Sequence, residues 1–241
     1  MSAAKRTGGT AAPAGHRARR FLRHNGLGLF FLGAFLVSLI GQAIAGHAEF
    51  TNQLVADGMP PIGFGTYLTT SDFAVDVTEN WQSEYLQFFL YIFGTVWLLQ
   101  RGSPESKEPG KEGPESDEDQ KVGEHAKGDS PRWAAYTDWR GVLFSRSLGL
   151  VMGTIFLLSW LSQSITGVAA YNEQRLRGLE APVTWAGYLS SADFWSRTLQ
   201  NWQSEMLAVA SMAVLSIYLR QRGSPESKPV GAAHGATGVE G

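Results

Sequence analysis

The chain of 241 residues has a formal net charge of −2 and contains no cysteine. The near-neutral charge gives no electrostatic reason to bind nucleic acid, and the lack of cysteine excludes disulfides and thiolate metal sites. Apolar residues are concentrated in four uncharged runs, at residues 27–46, 85–100, 147–172 and 206–219. Because about 20 apolar residues cross a hydrocarbon core of roughly 30 Å, these runs predict an all-α integral membrane protein with four transmembrane helices.

The segment before the first apolar run is basic, and we expect residues 1–24 to form a disordered cytoplasmic tail. A cleaved signal peptide is the alternative, because a basic start, an apolar run and the small residues Ala43-Ile44-Ala45 imitate one. However, the run has an equivalent at residues 148–167, in the middle of the chain, where no signal peptide can stand. This favours a membrane span.

The chain contains an internal repeat with an offset of 121 residues, and residues 27–107 align with residues 148–228 without a gap. We interpret it as a duplicated helical hairpin with two spans in each copy. Two identical strings mark the copies: N-W-Q-S-E at residues 80–84 and 201–205, and R-G-S-P-E-S-K at residues 101–107 and 222–228.

The linker between the copies is rich in Glu, Lys, Gly, Ser and Pro. It cannot bury enough apolar surface to offset the entropy of ordering, which predicts a flexible tether. The predicted organisation is a basic disordered cytoplasmic tail (1–24), a first membrane hairpin (25–101), a disordered cytoplasmic linker (102–139), a second membrane hairpin (140–222) and a disordered cytoplasmic tail (223–241).

Each copy has an even number of spans, so both copies enter the membrane from the same side as parallel repeats. Basic residues precede the first span and follow the second, whereas residues 47–81 contain neither lysine nor arginine. By the positive-inside rule, we expect a multi-pass protein of the inner (plasma) membrane with both termini and the linker in the cytoplasm.

Turn and capping residues predict the helix limits. Hydroxyl residues followed by Asp72 or Asp193 predict helix N-caps, and we assign capping to both acids. The helices that start there are expected to run to Arg101 and Arg222, and R-G-S-P-E-S-K is expected to begin a new helix. The glycines expected in the left-handed conformation after the first and third spans are Gly58 and Gly178.

Polar side chains near the outer ends of the spans form the candidate site. Glu84 lies about 25 Å along the helix from Arg101, which places it near the outer boundary. Polar groups at this depth are expected to face the bundle interior, and the helical period turns Gln82 away from that face. The candidate intramembrane polar cluster is Gln42, Asn80, Glu84, Gln163, Asn201 and Glu205, and the predicted interface anchors are Trp81 and Trp202.

The polar cluster has two interpretations. In the first, amides and acids clamp the two hairpins together. In the second, Glu84 and Glu205 form a cation or proton site at the outer mouth of a pathway. We expect no polar residue deep in the inner half of the helices to continue such a path, which favours the clamp.

The sequence carries no motif for catalysis. G-x-S-x-G, H-E-x-x-H and phosphate-binding glycine loops do not occur, and His47 has a valine at its equivalent position, so a symmetric histidine metal site is missing. We therefore predict no enzymatic activity and no cofactor. The lipid bilayer is the expected partner, with a second copy of the chain or another membrane protein as the expected protein partner.

The repeated Y-L-[ST]-[ST]-x-D-F, N-W-Q-S-E and R-G-S-P-E-S-K motifs resemble those of a bacterial family of small multi-pass membrane proteins of unknown function. The resemblance covers residues 20–107 and 140–228. It implies a membrane location and no particular activity, substrate or cofactor.

Overall fold

The computed structural model describes residues 14–239, and these residues contain α-helices and turns but no strand. This confirms the all-α prediction. The α-helices of this part of the chain are α1 (Ala14–His24), α2 (Gly26–Ala56), α3 (Phe64–Tyr67), α4 (Ser71–Trp97), α5 (Trp139–Ser145), α6 (Ser147–Arg177), α7 (Trp185–Leu189) and α8 (Ala192–Tyr218).

The helix limits recur with the offset seen in the sequence. Helices α2 and α6 have 31 residues each, helices α4 and α8 have 27 each, and each pair starts and ends 121 residues apart. By its internal contacts, the chain divides into two units, one ending at Leu68 and one beginning at Thr69. The first unit contains α1 to α3 and the second contains α4 to α8.

In the first unit, the loop after α2 folds back onto that helix. Tyr67 is buried, its ring contacts the rings of His47 and Phe50, and the His47 Nε2 atom lies 2.8 Å from the carbonyl oxygen of Ile62. A Cβ at Gly46 would overlap the hydroxyl of Tyr67. The glycine therefore gives the tyrosine its place against the helix.

The second unit repeats this arrangement between α6 and α7. Tyr188 is fully buried, and a Cβ at Gly167 would lie only 2.5 Å from its hydroxyl. In each copy, the glycine of the long helix therefore leaves room for the tyrosine of the short helix. These contacts hold α3 against α2 and α7 against α6.

Helix α4 packs antiparallel along α6. The ring of Phe93 covers Gly149 and the ring of Phe89 covers Gly153, and a Cβ at either glycine would come within 2.8 Å of the ring. The glycines form a G-x-x-x-G motif, which lets two helices approach closely. The motif thus accommodates two phenylalanine rings between α4 and α6.

Helices α4 and α8 run parallel, with equivalent residues at the same level. Arg197 of α8 pairs with Asp76, which is its equivalent on α4, at 3.7 Å. One and a half turns further on, the Trp202 indole donates to Gln82 Oε1 over 2.7 Å. The contact surface between α4 and α8 therefore consists of corresponding parts of the two copies.

Hydroxyl caps start the long second helix of each copy, as the sequence predicts. Thr70 Oγ1 accepts a hydrogen bond from the backbone of Phe73, and Ser191 Oγ accepts one from Phe194. Each bond satisfies one of the free N–H groups of the first turn. In the second copy, the acid of this turn has further partners, which are described below.

The left-handed residue after α2 is Gly58, with φ of +74°, as predicted. After α6, however, Gly178 has φ of −78° and Leu179 takes the left-handed conformation with φ of +58°. The prediction for Gly178 is wrong because the turn follows the repeat offset: Met59 donates to Leu54 in the first copy, and Glu180 donates to Arg175 in the second. A leucine therefore occupies a position that favours glycine.

Helices α4 and α8 end at Trp97 and Tyr218, four residues before Arg101 and Arg222. No helix begins in either R-G-S-P-E-S-K motif; both fold as turns with a left-handed glycine, at φ of +88° for Gly102 and +82° for Gly223. The serine hydroxyls replace helix capping, since Ser106 Oγ accepts from Gln100 N and Ser227 Oγ accepts from Gln221 N. These two sequence predictions are therefore corrected.

The segment before α2 and the linker contain ordered elements. Helix α1 occupies residues 14–24, where the sequence predicts disorder, because this stretch of Ala, Arg, Phe and Leu has no helix breaker after Gly15. The linker is described as turns with two short 3₁₀ segments, Gly123–His125 and Arg132–Ala135. Disorder of the linker and of residues 223–239 stays a prediction, and residues 1–13, 240 and 241 lie outside the described residues.

Lys228 of the second motif and Thr237 join the C-terminal segment to the end of the first copy. The Lys228 Nζ donates to the carbonyl of Gly102 at 2.6 Å and to those of Ala233, His234 and Ala236 at 2.8–3.2 Å. The Gly102 N–H donates to Thr237 Oγ1 over 2.9 Å. Burial lowers the pKa of this lysine. The segment after α8 is thus held by a buried ammonium group.

Candidate functional site

Arg197 is the centre of an acidic cluster at the N-terminal ends of α4 and α8. Its guanidinium lies 3.2 Å from Glu79 and 3.7 Å from Asp76 on α4, and 3.4 Å from Asp193 on its own helix. Asp193 also accepts a hydrogen bond from the Tyr188 hydroxyl over 3.2 Å. Arg197 therefore joins α4 to α8, and Asp193 connects this cluster to Tyr188 of α7.

The three acids outnumber the arginine, so Arg197 neutralises only part of their charge. Glu79 is the most shielded of the three, with 17 % of its side chain exposed.

A second set of polar contacts lies between α4, α6 and α8. Gln82 is fully buried and accepts the indole N–H of Trp202, and the Trp202 ring lies 5.7 Å from that of Trp160 on α6. The prediction that Gln82 points away from the bundle is wrong. The face of α4 that packs against α6 and α8 includes Gln82 and Ser83, both buried.

Gln163 on α6 is also fully buried, and its Nε2 lies 3.5 Å from Thr198 Oγ1 on α8. Next to it, Ser164 Oγ accepts the indole N–H of Trp185 over 3.1 Å. Within this set of contacts, the buried atoms Gln82 Nε2, Gln163 Oε1 and Trp160 Nε1 have no hydrogen-bond partner in the described residues. Such unpaired groups are costly in an interior, so these polar side chains are held there by the packing around them.

The residues of the predicted cluster lie in different surroundings. Asn80 is exposed and Asn201 is half-buried, and each amide donates to its own helix, to the carbonyl of Asp76 or Arg197. Glu84 is exposed and Glu205 is half-buried, and the charge of Glu205 acts on Glu84. The two glutamates are therefore close enough for their charges to interact, and Gln163 differs from both in being fully buried.

The other predicted residues complete this comparison. Gln42 is half-buried on α2, in the first unit, and its predicted place in the cluster stays a prediction. Trp81 is 41 % exposed, in keeping with a side chain at a surface. Trp202 instead turns its indole N–H toward Gln82, so it is a contact between helices.

A cavity of about 290 Å³ lies between the C-terminal halves of α4 and α8. Its lining is mainly apolar, with one carboxylate and one amide, and the Tyr91 hydroxyl donates to the Glu105 carboxylate at its edge. The residues that line it are Gln87, Phe88, Tyr91, Glu105, Ala208, Val209 and Met212. We call this cavity the α4/α8 groove.

Sequence reasoning missed the groove and the Arg197 cluster. A signal for each was present in the repeat: Asp76 aligns with Arg197, and Tyr91 aligns with Met212. Opposite charges at equivalent positions are a sign that the copies meet there.

Two helices within the described residues, α2 and α6, are long and apolar enough to cross a membrane, and α4 and α8 do not meet the same criterion. In the same part of the chain, no group of three or more His, Cys, Asp or Glu side chains is placed to hold a metal ion. Fold and site therefore define an all-α protein with two candidate membrane spans.

The chain belongs to a family described as a domain of unknown function (DUF6766), whose model matches residues 18–239. This confirms a family of unknown function. No curated protein and no solved structure matches the chain.

Proposed function

We propose that the protein is a non-enzymatic structural or regulatory component of the inner membrane, with four spans in two parallel hairpins and cytoplasmic termini. Helices α4 and α8 supply the two further spans, since 27 residues extend about 40 Å. Their parallel direction supports entry of both copies from the same side. Large apolar side chains on them are exposed, which suits contact with lipid: Leu90, Trp97, Leu207, Val214 and Leu215.

The observation that carries the structural role is the use of polar side chains between helices. Arg197 joins α4 to α8, Gln82 accepts from Trp202, and Gln163 meets Thr198. Polar groups that bond one another across helices stabilise a membrane bundle. We expect the outward surface of the bundle to contact the lipid bilayer and a second copy of the chain or another membrane protein.

Topology is the first test. Reporter fusions after Gly58 and after Gly178 should both score external, and a fusion after Gly110 in the linker should score cytoplasmic. The parallel-hairpin arrangement is abandoned if the two outer fusions disagree. A chain that is released by alkaline carbonate washing of membranes would contradict membrane insertion altogether.

A cation or proton pathway is the second candidate function, and the proximity of Glu84 and Glu205 favours it. Two like charges that lie close together favour the uptake of a proton or cation. Liposomes that contain the protein should then show faster proton or cation flux than empty ones, and a Glu84→Gln, Glu205→Gln variant should lose the excess. Flux equal to that of empty vesicles removes this candidate and leaves the structural role.

A further inference from the structure

The α4/α8 groove has the composition of a ligand site. Pockets for small molecules measure about 300–1,000 Å³ and combine an apolar lining with a few polar groups. This one measures about 290 Å³ and offers Phe88, Val209 and Met212 beside the Glu105 carboxylate. The groove lies on a different face of α4 from the one that packs against α6 through Phe89 and Phe93.

The charge of the groove selects the class of ligand. Among its lining residues in the described part of the chain there is a carboxylate but no lysine or arginine. Glu84 and Glu205 lie three residues before Gln87 and Ala208, a rise of about 4.5 Å along each helix. The lining residues therefore carry a net negative charge, which disfavours anions.

Aromatic side chains complete the recognition of a cation. The faces of Phe88 and Tyr91 attract an alkylammonium group within about 6 Å, and the polarisable Met212 accepts an apolar body. A strongly hydrated inorganic ion gains little from such a lining. An organic cation with an aromatic or alkyl body gains from the rings and from the carboxylate together.

The R-G-S-P-E-S-K turn positions the carboxylate. Ser106 accepts from Gln100 N, and Lys107 donates to the carbonyl of Gly113 over 2.9 Å, so the turn folds back beneath α4. Glu105 thereby reaches Tyr91. The second copy has the same turn, yet Glu226 is exposed and Met212 stands where Tyr91 stands.

We propose that the α4/α8 groove binds a small organic cation, an alkylammonium compound with an apolar body, through Glu105, Tyr91 and Phe88. This site goes beyond the proposed structural role, because binding requires α4, α8 and the turn but no particular membrane topology. Its ligand would enter between the C-terminal halves of the two helices.

Calorimetric titration of the full chain in detergent with benzyltrimethylammonium tests the proposal. Its neutral analogue neopentylbenzene is the matched ligand. The cation should bind at least about tenfold more tightly, a difference of about 1.4 kcal/mol. Equal binding of the two compounds overturns the proposal, because the groove would then be a plain apolar cavity.

Variants separate the site from general charge effects. Glu105→Gln should weaken binding of the cation about tenfold or more, whereas Glu226→Gln, the same change in the other copy, should leave it unaltered. Equal losses in both variants, or no loss in Glu105→Gln, overturn the proposal. Thermal unfolding of each variant confirms that it is folded.

Two further arms keep the test decisive. Ala208→Phe fills the groove without a change of charge and should abolish binding; binding that persists places the cation elsewhere and overturns the proposal. Titration with a short-chain phosphatidylcholine, whose headgroup is also an alkylammonium, should displace the probe only weakly. Displacement by this lipid at lower concentration than by the probe itself assigns the groove to a lipid headgroup and overturns a free cation.

Discussion

Helices α4 and α8 occupy equivalent places in the two copies, yet they differ where they face each other. Their capping hydroxyls and N-W-Q-S-E strings are the same in kind, and their lengths are equal at 27 residues. Differences at the mutual contact surface include Asp76 against Arg197, Gln87 against Ala208 and Tyr91 against Met212. The shared residues Gln82 and Trp202 also meet there, so the contact surface combines residues common to both copies with residues that have diverged.

The size of side chains shows the same division between the copies. Gly153 of α6 receives the ring of Phe89 of α4. The repeat aligns Leu32 with Gly153 and Ala210 with Phe89, so each of these two positions has a large side chain in one copy and a small one in the other. Gly153 leaves room for the ring of Phe89, which a leucine at this position of α6 would not.

The largest effect is expected when Gly153 is replaced by leucine, the residue at the equivalent position of the first copy. Gly153→Leu forces side-chain atoms into the ring of Phe89, and we expect a loss of about 3 kcal/mol in unfolding free energy. Unfolding in mixed detergent, followed by circular dichroism, measures it. Leu36→Ile, a change of shape at an exposed position, is the control and should cost under about 0.5 kcal/mol.

A second substitution, at Phe89, tests whether the side chains at positions 89 and 153 depend on each other. Adding Phe89→Ala to Gly153→Leu recreates the sizes of the other copy, and we expect the double variant to recover at least about 1 kcal/mol relative to the sum of the single changes. Simple additivity of the two losses would show that Phe89 and Gly153 do not determine each other.

A smaller loss of stability is expected from a change in the opposite charges at Asp76 and Arg197. Arg197→Asp places a fourth acid beside Asp76, Glu79 and Asp193, and we expect a loss of about 2 kcal/mol, which is moderate because the arginine is 38 % exposed and screened by solvent. Thermal unfolding at low and high salt measures it, and high salt should reduce the loss.

Exchange of the two charges is the matched control. Asp76→Arg combined with Arg197→Asp restores an attraction between the helices and should recover part of the loss. Lys111→Ala removes an exposed ion pair with Glu108 and should leave stability unchanged. A swapped variant that is no more stable than Arg197→Asp would mean that the arginine acts by packing alone.

The smallest expected effect concerns the turns after α2 and α6. Leu179→Gly should stabilise the protein by about 1 kcal/mol, because the leucine has φ of +58° and is 96 % exposed, so the change relieves strain and removes no packing. The reverse change, Gly58→Leu, should destabilise it by about 1 kcal/mol. Melting temperatures that move in the same direction in both variants would refute this reading of the two turns.

Local signals in the sequence were sufficient for the helices. Apolar runs, hydroxyl caps and the glycine after α2 predict the all-α fold and several helix limits correctly, because each depends on residues within a few positions. The repeat offset even places Leu179, since the turn follows the alignment with Gly58 and ignores the neighbouring Gly178. The prediction of a new helix in R-G-S-P-E-S-K was wrong because the Ser106 hydroxyl accepts a hydrogen bond from the backbone N–H six residues earlier instead of capping a helix.

The site was harder to predict because it depends on which helices are neighbours. A helical wheel assigns one inner face to α4, but α4 packs against α6 on one side and α8 on another, so Gln82 is buried while Asn80 and Glu84 are exposed. Contacts such as that of Tyr91 with Glu105 need the fold of the turn beyond the helix. No periodicity in the sequence contains that information.

The pairing of Asp76 with Arg197 has a consequence for the history of the chain. An ancestor with a single hairpin that formed dimers would have carried the same residue at this position in both subunits, and so either two aspartates or two arginines would have met there. Opposite charges became available only when the two hairpins were encoded separately within one gene. The two halves are therefore no longer interchangeable, and neither half expressed alone would find in its own copy the partner charge that it has here.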